Sequence, residues 1–185
     1  MYLIIIISVA LLAGMIVVYN RLVRSRNRVD TAWSDVDVQL QRRHDLVPRL
    51  VSAVDAYAKY ERATLEAVTE LRAEASRVTG IEHKGKVEEQ LSAGMQRLLA
   101  LAENYPDLKA NENFLNLQNE LVETENYLQF ARRYYNGSVR DYNTLTEVFP
   151  SNLFADLFRF RGREFFQKTS DEAASVPLIE FGSVE

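Results

Sequence analysis

From Met1 to Asn20 the chain carries no charged side chain, and Leu3 to Tyr19 is almost wholly apolar. At about 1.5 Å rise per residue, such a stretch makes a helix roughly 30 Å long, the thickness of a bilayer's hydrocarbon core. The pattern predicts a transmembrane anchor over residues 1–20, with Leu3, Ile7, Leu11, Gly14 and Val18 in the span. A cleaved signal peptide is the competing reading. It needs a basic segment first, a shorter apolar core and a small-x-small cleavage site. Here nothing basic precedes the apolar run, and Val17-Val18-Tyr19-Asn20-Arg21 comes after it without an Ala-x-Ala. A retained anchor fits; a leader does not.

Orientation is set by the next charges. Arg21, Arg24, Arg26 and Arg28 come before the first acid, Asp30, and no base precedes the span. The positive-inside rule then places the remainder in the cytoplasm, on a single-pass anchor. The same arginines can meet anionic lipid headgroups, each worth about 1 kcal/mol near the surface. The simpler reading is that they set topology.

The remainder suits one domain, residues 21–170, and then a tail over 171–185. With no cysteine there is no disulfide framework, thiol nucleophile or thiolate metal site. A net charge of −4, with acids and bases interspersed, argues against nucleic acid as a partner. His44 and His83 are the only histidines, which restricts metal and acid–base chemistry.

Between Gly14 and Gly80 the only helix breaker is Pro48. Trp33, Val36, Leu40, Val47, Val51, Val54, Ala58, Leu65 and Val68 fall mostly three, four or seven apart, one apolar stripe of a helix. The stripe keeps phase through Pro48, so a kink near Leu46, or two nearly collinear helices, is expected there. Nothing breaks the chain between the span and Trp33, so the anchor should run on as a rod. Gly80 to Gly85 reads as a loop, Lys86 to Glu103 as a helix, and Tyr105-Pro106-Asp107 as a break. The longest helix is expected from Asn111 to Glu147, with Phe114, Leu117, Leu121, Leu128, Ala131, Tyr135, Val139, Tyr142 and Leu145 inward. Pro150 stops it, Ser151 or Asn152 can cap the next helix, and this aromatic helix, from Leu153 to Gln167, closes the domain. The fold class is therefore all-α: a transmembrane helix, then an antiparallel bundle of about four long helices plus a short aromatic one.

Two patterns imitate chemistry. Gly80-Ile81-Glu82-His83-Lys84-Gly85-Lys86 matches the start of a phosphate-binding loop, but Val87 stands where the magnesium-binding Ser or Thr belongs, and no strand precedes it. Glu112, Glu120, Glu123 and Glu125 crowd one helix, yet the Glu-x-x-His of di-metal bundles is absent. These acids read as a wet face, Glu125 pairing locally near Gln129 and Arg132. Neither a cofactor nor a metal is expected, and no nucleophile–His–acid set can be placed.

Asp37 shares the Trp33–Leu40 face by spacing and is expected to be partly buried. Its partner would be Arg42, Arg43 or a base of the long helix, in an ion pair fixing register. From Ser151 to Lys168, phenylalanines alternate with Arg159, Arg161, Arg163 and Lys168. Such a segment can lie in a membrane interface; the favoured reading is that its rings close one end of the bundle. Val176-Pro177-Leu178-Ile179-Glu180-Phe181 is either disordered or a short docking strand for a neighbour.

Five blocks in order carry a resemblance. They are Tyr19-Asn20-x-Leu22-Val23 with Arg26-Asn27-x-Val29; Ala32-Trp33-Ser34-Asp35-Val36-Asp37-Val38-Gln39-Leu40; and Arg42-Arg43-His44-Asp45-Leu46-Val47-Pro48. Then come Tyr105-Pro106-Asp107-Leu108-Lys109-Ala110-Asn111-Glu112-Asn113-Phe114, and Arg132-Arg133-x-Tyr135-Asn136 with Tyr142-Asn143. The chain resembles the LemA family over nearly its whole length. Trp33, Asp37, Arg42, Asp45, Pro48, Tyr105, Pro106, Asn111 and Asn136 are the motif positions it marks as structural. The departure is Arg49, where relatives often carry Asn after the proline. The resemblance implies a bacterial inner-membrane protein with one N-terminal span and a helical bundle. It implies no agreed activity, and links to membrane organisation, magnetosome membranes included, and to neighbouring membrane metalloprotease or TPM-domain genes.

The functional expectation is a non-enzymatic membrane scaffold whose partners are the bilayer and further copies of itself, with Gly14, Ala10 and Ala13 a small-residue face for helix packing. The alternative is an adaptor that presents its bundle or tail to another inner-membrane protein, such as a protease.

Overall fold

The computed structural model describes residues 1–58 and 60–166. It is built from six helices, and among the described residues there is no strand. The first, α1 (Tyr2–Asp55), is 54 residues long, about 80 Å at helical rise. Its apolar beginning has a mean hydropathy of 2.7, and none of that window is buried by the rest of the chain. The first fully covered residue is Leu22. From there Val29, Ala32, Val36, Leu40, Arg43, Val47, Leu50 and Val54 face the bundle, three or four residues apart after Val29. The apolar stretch and the first bundle helix are thus one rod, as the absence of breakers predicts.

The structure excludes one of the two readings at Pro48 and corrects a further expectation. Pro48 lies inside α1, with its ring exposed, and the helix runs through it as one element rather than two. The helix ends instead at Asp55. The amides of Tyr57 and Ala58 both donate to Val54 O, at 3.0 and 2.8 Å, and the chain turns back into α2 (Arg62–Arg77). Leu65 and Val68, expected on the same helix as Val54, are buried from this second helix. Folding back lets α2 cover the end of α1 and pack along α3 (Ile81–Ala102).

The helix α3 begins at Gly80, whose φ of 93° suits glycine. Gly85 and Lys86 are therefore helical, not part of a loop, and the backbone cradle of a phosphate loop does not form. A single turn, α4 (Pro106–Lys109), precedes α5 (Glu112–Glu147). Asn111 caps α5, its Oδ1 accepting from the amides of Asn113 and Phe114 at 3.0 and 3.2 Å. With 36 residues α5 is second in length to α1, not the longest helix.

The aromatic end also differs from expectation. The helix α6 covers only Ser151–Leu157. Neither Ser151 nor Asn152 caps it: Pro150 stands at that position, and the Ser151 hydroxyl donates to Val148 O at 2.9 Å. The chain reverses at Arg159, whose φ is 58°, and residues 160–166 run back along α5 outside any helix. Gln167, Lys168 and the tail over 171–185 lie outside the described residues.

Two apolar clusters fill the bundle. The one farther from the anchor joins the end of α1 to α2, α3, α4 and the start of α5, around Leu50, Val68, Leu98 and Phe114. The nearer one joins Leu22 to Leu40 with Leu128 to Tyr142, closed by Ala155, Phe160 and Phe166. Between Leu40 and Leu46 on α1, and between Leu121 and Leu128 on α5, the core is polar.

Candidate functional site

That polar layer is held by Arg43 and Glu88, which are 1% and 0% exposed. The Arg43 guanidinium donates to the Glu88 carboxylate, to Glu88 O at 3.2 Å and to Glu125 at 3.1 Å. His44 Nε2 meets the other Glu88 oxygen at 2.7 Å. Burial pushes the Glu88 carboxyl up, but the His44 hydrogen bond and the Arg43 and His44 charges outweigh it and hold it below 4.5. Arg132 stands close by, its guanidinium stacked 5.1 Å over Phe166; burial and the Arg43 charge lower its pKa. One carboxylate thus ties α1 to α3 while Glu125 ties α1 to α5. Burying the two charges offsets most of their mutual attraction, whereas removing one partner would strand the other charge in the core. Its partners are drawn from three helices of the chain itself.

Asp37 is not part of this layer. It is exposed and accepts from Lys84 Nζ at 2.7 Å, and Lys84 also lies 5.7 Å from the Trp33 ring centre. The buried acid is Glu88 on α3, not Asp37 on α1. Glu125 bonds across to Arg43 and also acts on Arg132 of its own helix, whose charge it favours. Of the other motif positions, Arg42 and Asp45 are exposed, Asp45 accepting from Gln41 at 2.9 Å. Tyr105 and Pro106 start α4, and Trp33 sits edge-on to Tyr135 at 5.3 Å and tilted on Phe166 at 5.7 Å.

The pairs Tyr135-Asn136 and Tyr142-Asn143 hold the returning segment. Asn136 bonds both the N–H and the C=O of Phe166, at 2.9 and 3.1 Å. Asn143 does the same for Arg163, at 2.8 and 3.0 Å. Tyr135 donates to Glu164 O at 2.8 Å, and its burial raises the phenol pKa to about 12.

The end of the bundle beside the anchor is basic. Arg21, Arg24 and Arg28 line a groove of about 560 Å³ between α1 and the end of α5, with Val17, Thr144 and Leu145 on its floor and Asp141 at its side. Among the described residues none of the three bonds an acid across it, whereas Arg26 stacks 5.4 Å from the Phe160 ring centre. All four juxtamembrane arginines are exposed. Among the described residues, no group of three or more His, Cys, Asp or Glu side chains is placed to hold a metal ion.

An all-helical bundle standing on a helix long and apolar enough to cross a bilayer, with a basic collar where the two meet, defines a membrane-associated helical protein. The LemA family profile matches residues 32–181, and the chain belongs to the LemA family. It is 25% identical to Protein LemA of Metamycoplasma hominis over 163 residues, which is 87% of this chain and 74% of that one. It is 24% identical to Magnetosome protein MamQ 2 of Paramagnetospirillum magneticum and 22% identical to Magnetosome protein MamQ of Magnetospirillum gryphiswaldense. Each of those matches covers 92% of this chain and 72% of the relative.

Proposed function

We propose that the chain is a non-enzymatic scaffold, anchored in the bacterial inner membrane by α1, that self-associates and so organises the membrane or its proteins. The observation that carries this reading is the outer face of α5. Tyr127, Phe130 and Tyr134 succeed one another at helical spacing and are 50, 62 and 55% exposed. Side-by-side copies, held parallel by their anchors, would cover this face without leaving the membrane plane. Ala10, Ala13 and Gly14, all exposed, support close packing within the span; a Cβ on Gly14 would meet nothing within 4 Å.

The test is crosslinking in native membranes, then purification and mass spectrometry, alongside the size of the full chain in lipid discs. Self-crosslinks that fall when Phe130 is changed to Ser support the scaffold. A monomer in discs overturns it, and a second protein captured stoichiometrically favours the adaptor.

A further inference from the structure

The packing of α5 on α1 is antiparallel and in steady register. Arg49 bonds Glu120, Arg43 bonds Glu125, and Trp33 meets Tyr135, so each step along α1 is one step back along α5. The groove beside the anchor continues that register, with Thr144 and Leu145 facing Arg21 and Arg24. Carried past the end of α5 at Glu147, it brings the chain toward Tyr19, where the uncharged stretch ends. On the other side of α6 the level is fixed directly. Phe158 lies 4.9 Å from the Tyr19 ring centre, edge-on. The end of α6 therefore stands at the height of Tyr19 on α1.

The outward stripe of this corner is apolar. Phe149, Leu153 and Leu157, four residues apart, are 78, 58 and 67% exposed, more than a packed bundle leaves on its own core residues. Phe160 and Phe166 do close the bundle, as a terminal aromatic segment should, and they account for the inward face alone.

We propose that Phe149 and α6 form a second membrane contact, a short interfacial helix lying in the headgroup boundary of the bilayer that α1 crosses. This rests on the anchor reading above. The occupant is lipid because the stripe stands at the height where the anchor's uncharged stretch gives way to Arg21. At that depth aromatic rings are favoured, and amphipathic helices bury their apolar face about 5–10 Å. Arg21, Arg24 and Arg159 border the same level and complement anionic headgroups. Two contacts beside each other, one spanning and one interfacial, would fix the tilt of the bundle on the membrane, which a lone anchor leaves free.

The absence of cysteine allows a clean test. Single-cysteine variants of the full chain, Leu153→Cys, Leu157→Cys, Ile7→Cys and Val122→Cys, are labelled with a polarity-sensitive dye in vesicles of mixed zwitterionic and anionic lipid. Spin-labelled lipid should quench the probes at 153, 157 and 7, while iodide quenches only the probe at 122. If the probe at 7 is lipid-quenched and those at 153 and 157 respond to iodide alone, the anchor stands and the interfacial contact is refuted. If the probe at 7 is not lipid-quenched, the anchor reading itself fails. Probes at 153 and 157 shielded from both quenchers mean that protein covers the stripe, which also overturns the proposal.

Discussion

Asn136 reads both backbone groups of Phe166, accepting from its N–H at 2.9 Å and donating to its C=O at 3.1 Å. Asn143, seven residues on, repeats the pair of bonds with Arg163. Seven residues of helix advance about 10.5 Å, and three extended residues about 10 Å, so the two spacings match. The amides thereby act as a short edge of sheet, supplying bonds that residues 160–166 cannot make to themselves.

Replacing Asn136 by Ala should cost about 1–3 kcal/mol, two hydrogen bonds at about 0.5–1.5 kcal/mol each. Trp33, the only tryptophan, lies 5.7 Å from the Phe166 ring and reports docking of this segment. Denaturant titration of the full chain in lipid discs should show an earlier loss of the native Trp33 emission, and Asn136→Asp, which keeps only the acceptor, should fall between. An unchanged midpoint for the alanine variant would show that the apolar contacts of Phe166 alone hold the segment.

Glu88→Gln should be among the most damaging single changes. It leaves Arg43 buried with Glu125, whose side chain is 31% exposed, as its remaining bonded counter-charge among the described residues, a loss of about 3–5 kcal/mol at neutral pH. The Glu88 carboxyl is held below its ordinary 4.5 in the folded state. Its contribution is therefore fully present above that value and disappears as pH falls through the lower, folded value. The stability gap between the parent and the variant should narrow on acidification below pH 4.5, monitored by urea titration in lipid discs. A gap that stays constant down to pH 3 would mean that the carboxylate charge is not what the layer uses.

Both polar partners are visible in the stripes once the stripes are searched for what interrupts them. Arg43 lies three residues after Leu40 and four before Val47, and Glu88 lies three before Leu91 and seven before Met95. A charge on the buried phase of two helices announces a buried pair. Asp37 misleads because Trp33, the residue that sets its phase, is itself only half-buried at the edge of the stripe centred on Ala32, Val36 and Leu40. The α1–α2 turn carries no glycine or proline, so only tertiary packing marks it. The segment over 160–166 reads as helix because its aromatic spacing suits one; its true partners, Asn136 and Asn143, are distant in sequence.

Orientation gives a third expectation. A single cysteine at His83, exposed on α3, should resist a membrane-impermeant maleimide in intact spheroplasts and react after permeabilisation. If the four arginines set the direction, changing Arg21, Arg24, Arg26 and Arg28 together to Gln should let part of the population label without permeabilisation. Full labelling of the parent chain in intact spheroplasts would place the bundle on the opposite side.

Two glycines inside helices should respond to alanine with opposite signs. Both substitutions gain helix propensity, about 1 kcal/mol for an interior position. At Gly137 on α5, a Cβ meets nothing within 4 Å, so the gain should appear nearly undiminished as added stability. At Gly94 on α3, the new carbon would stand 2.9 Å from Val68 Cγ2 and 3.7 Å from Leu71 Cδ1. Val68 is buried and β-branched, with little rotamer freedom to yield, so α2 must shift away from α3. Overpacking of that kind costs about 1–3 kcal/mol and exceeds the propensity gain over most of that range. Gly137→Ala should therefore raise the thermal midpoint and Gly94→Ala lower it, measured by circular dichroism in the same lipid discs. If Gly94→Ala were as stabilising as Gly137→Ala, the close approach of α2 to α3 would not be what confines position 94 to glycine.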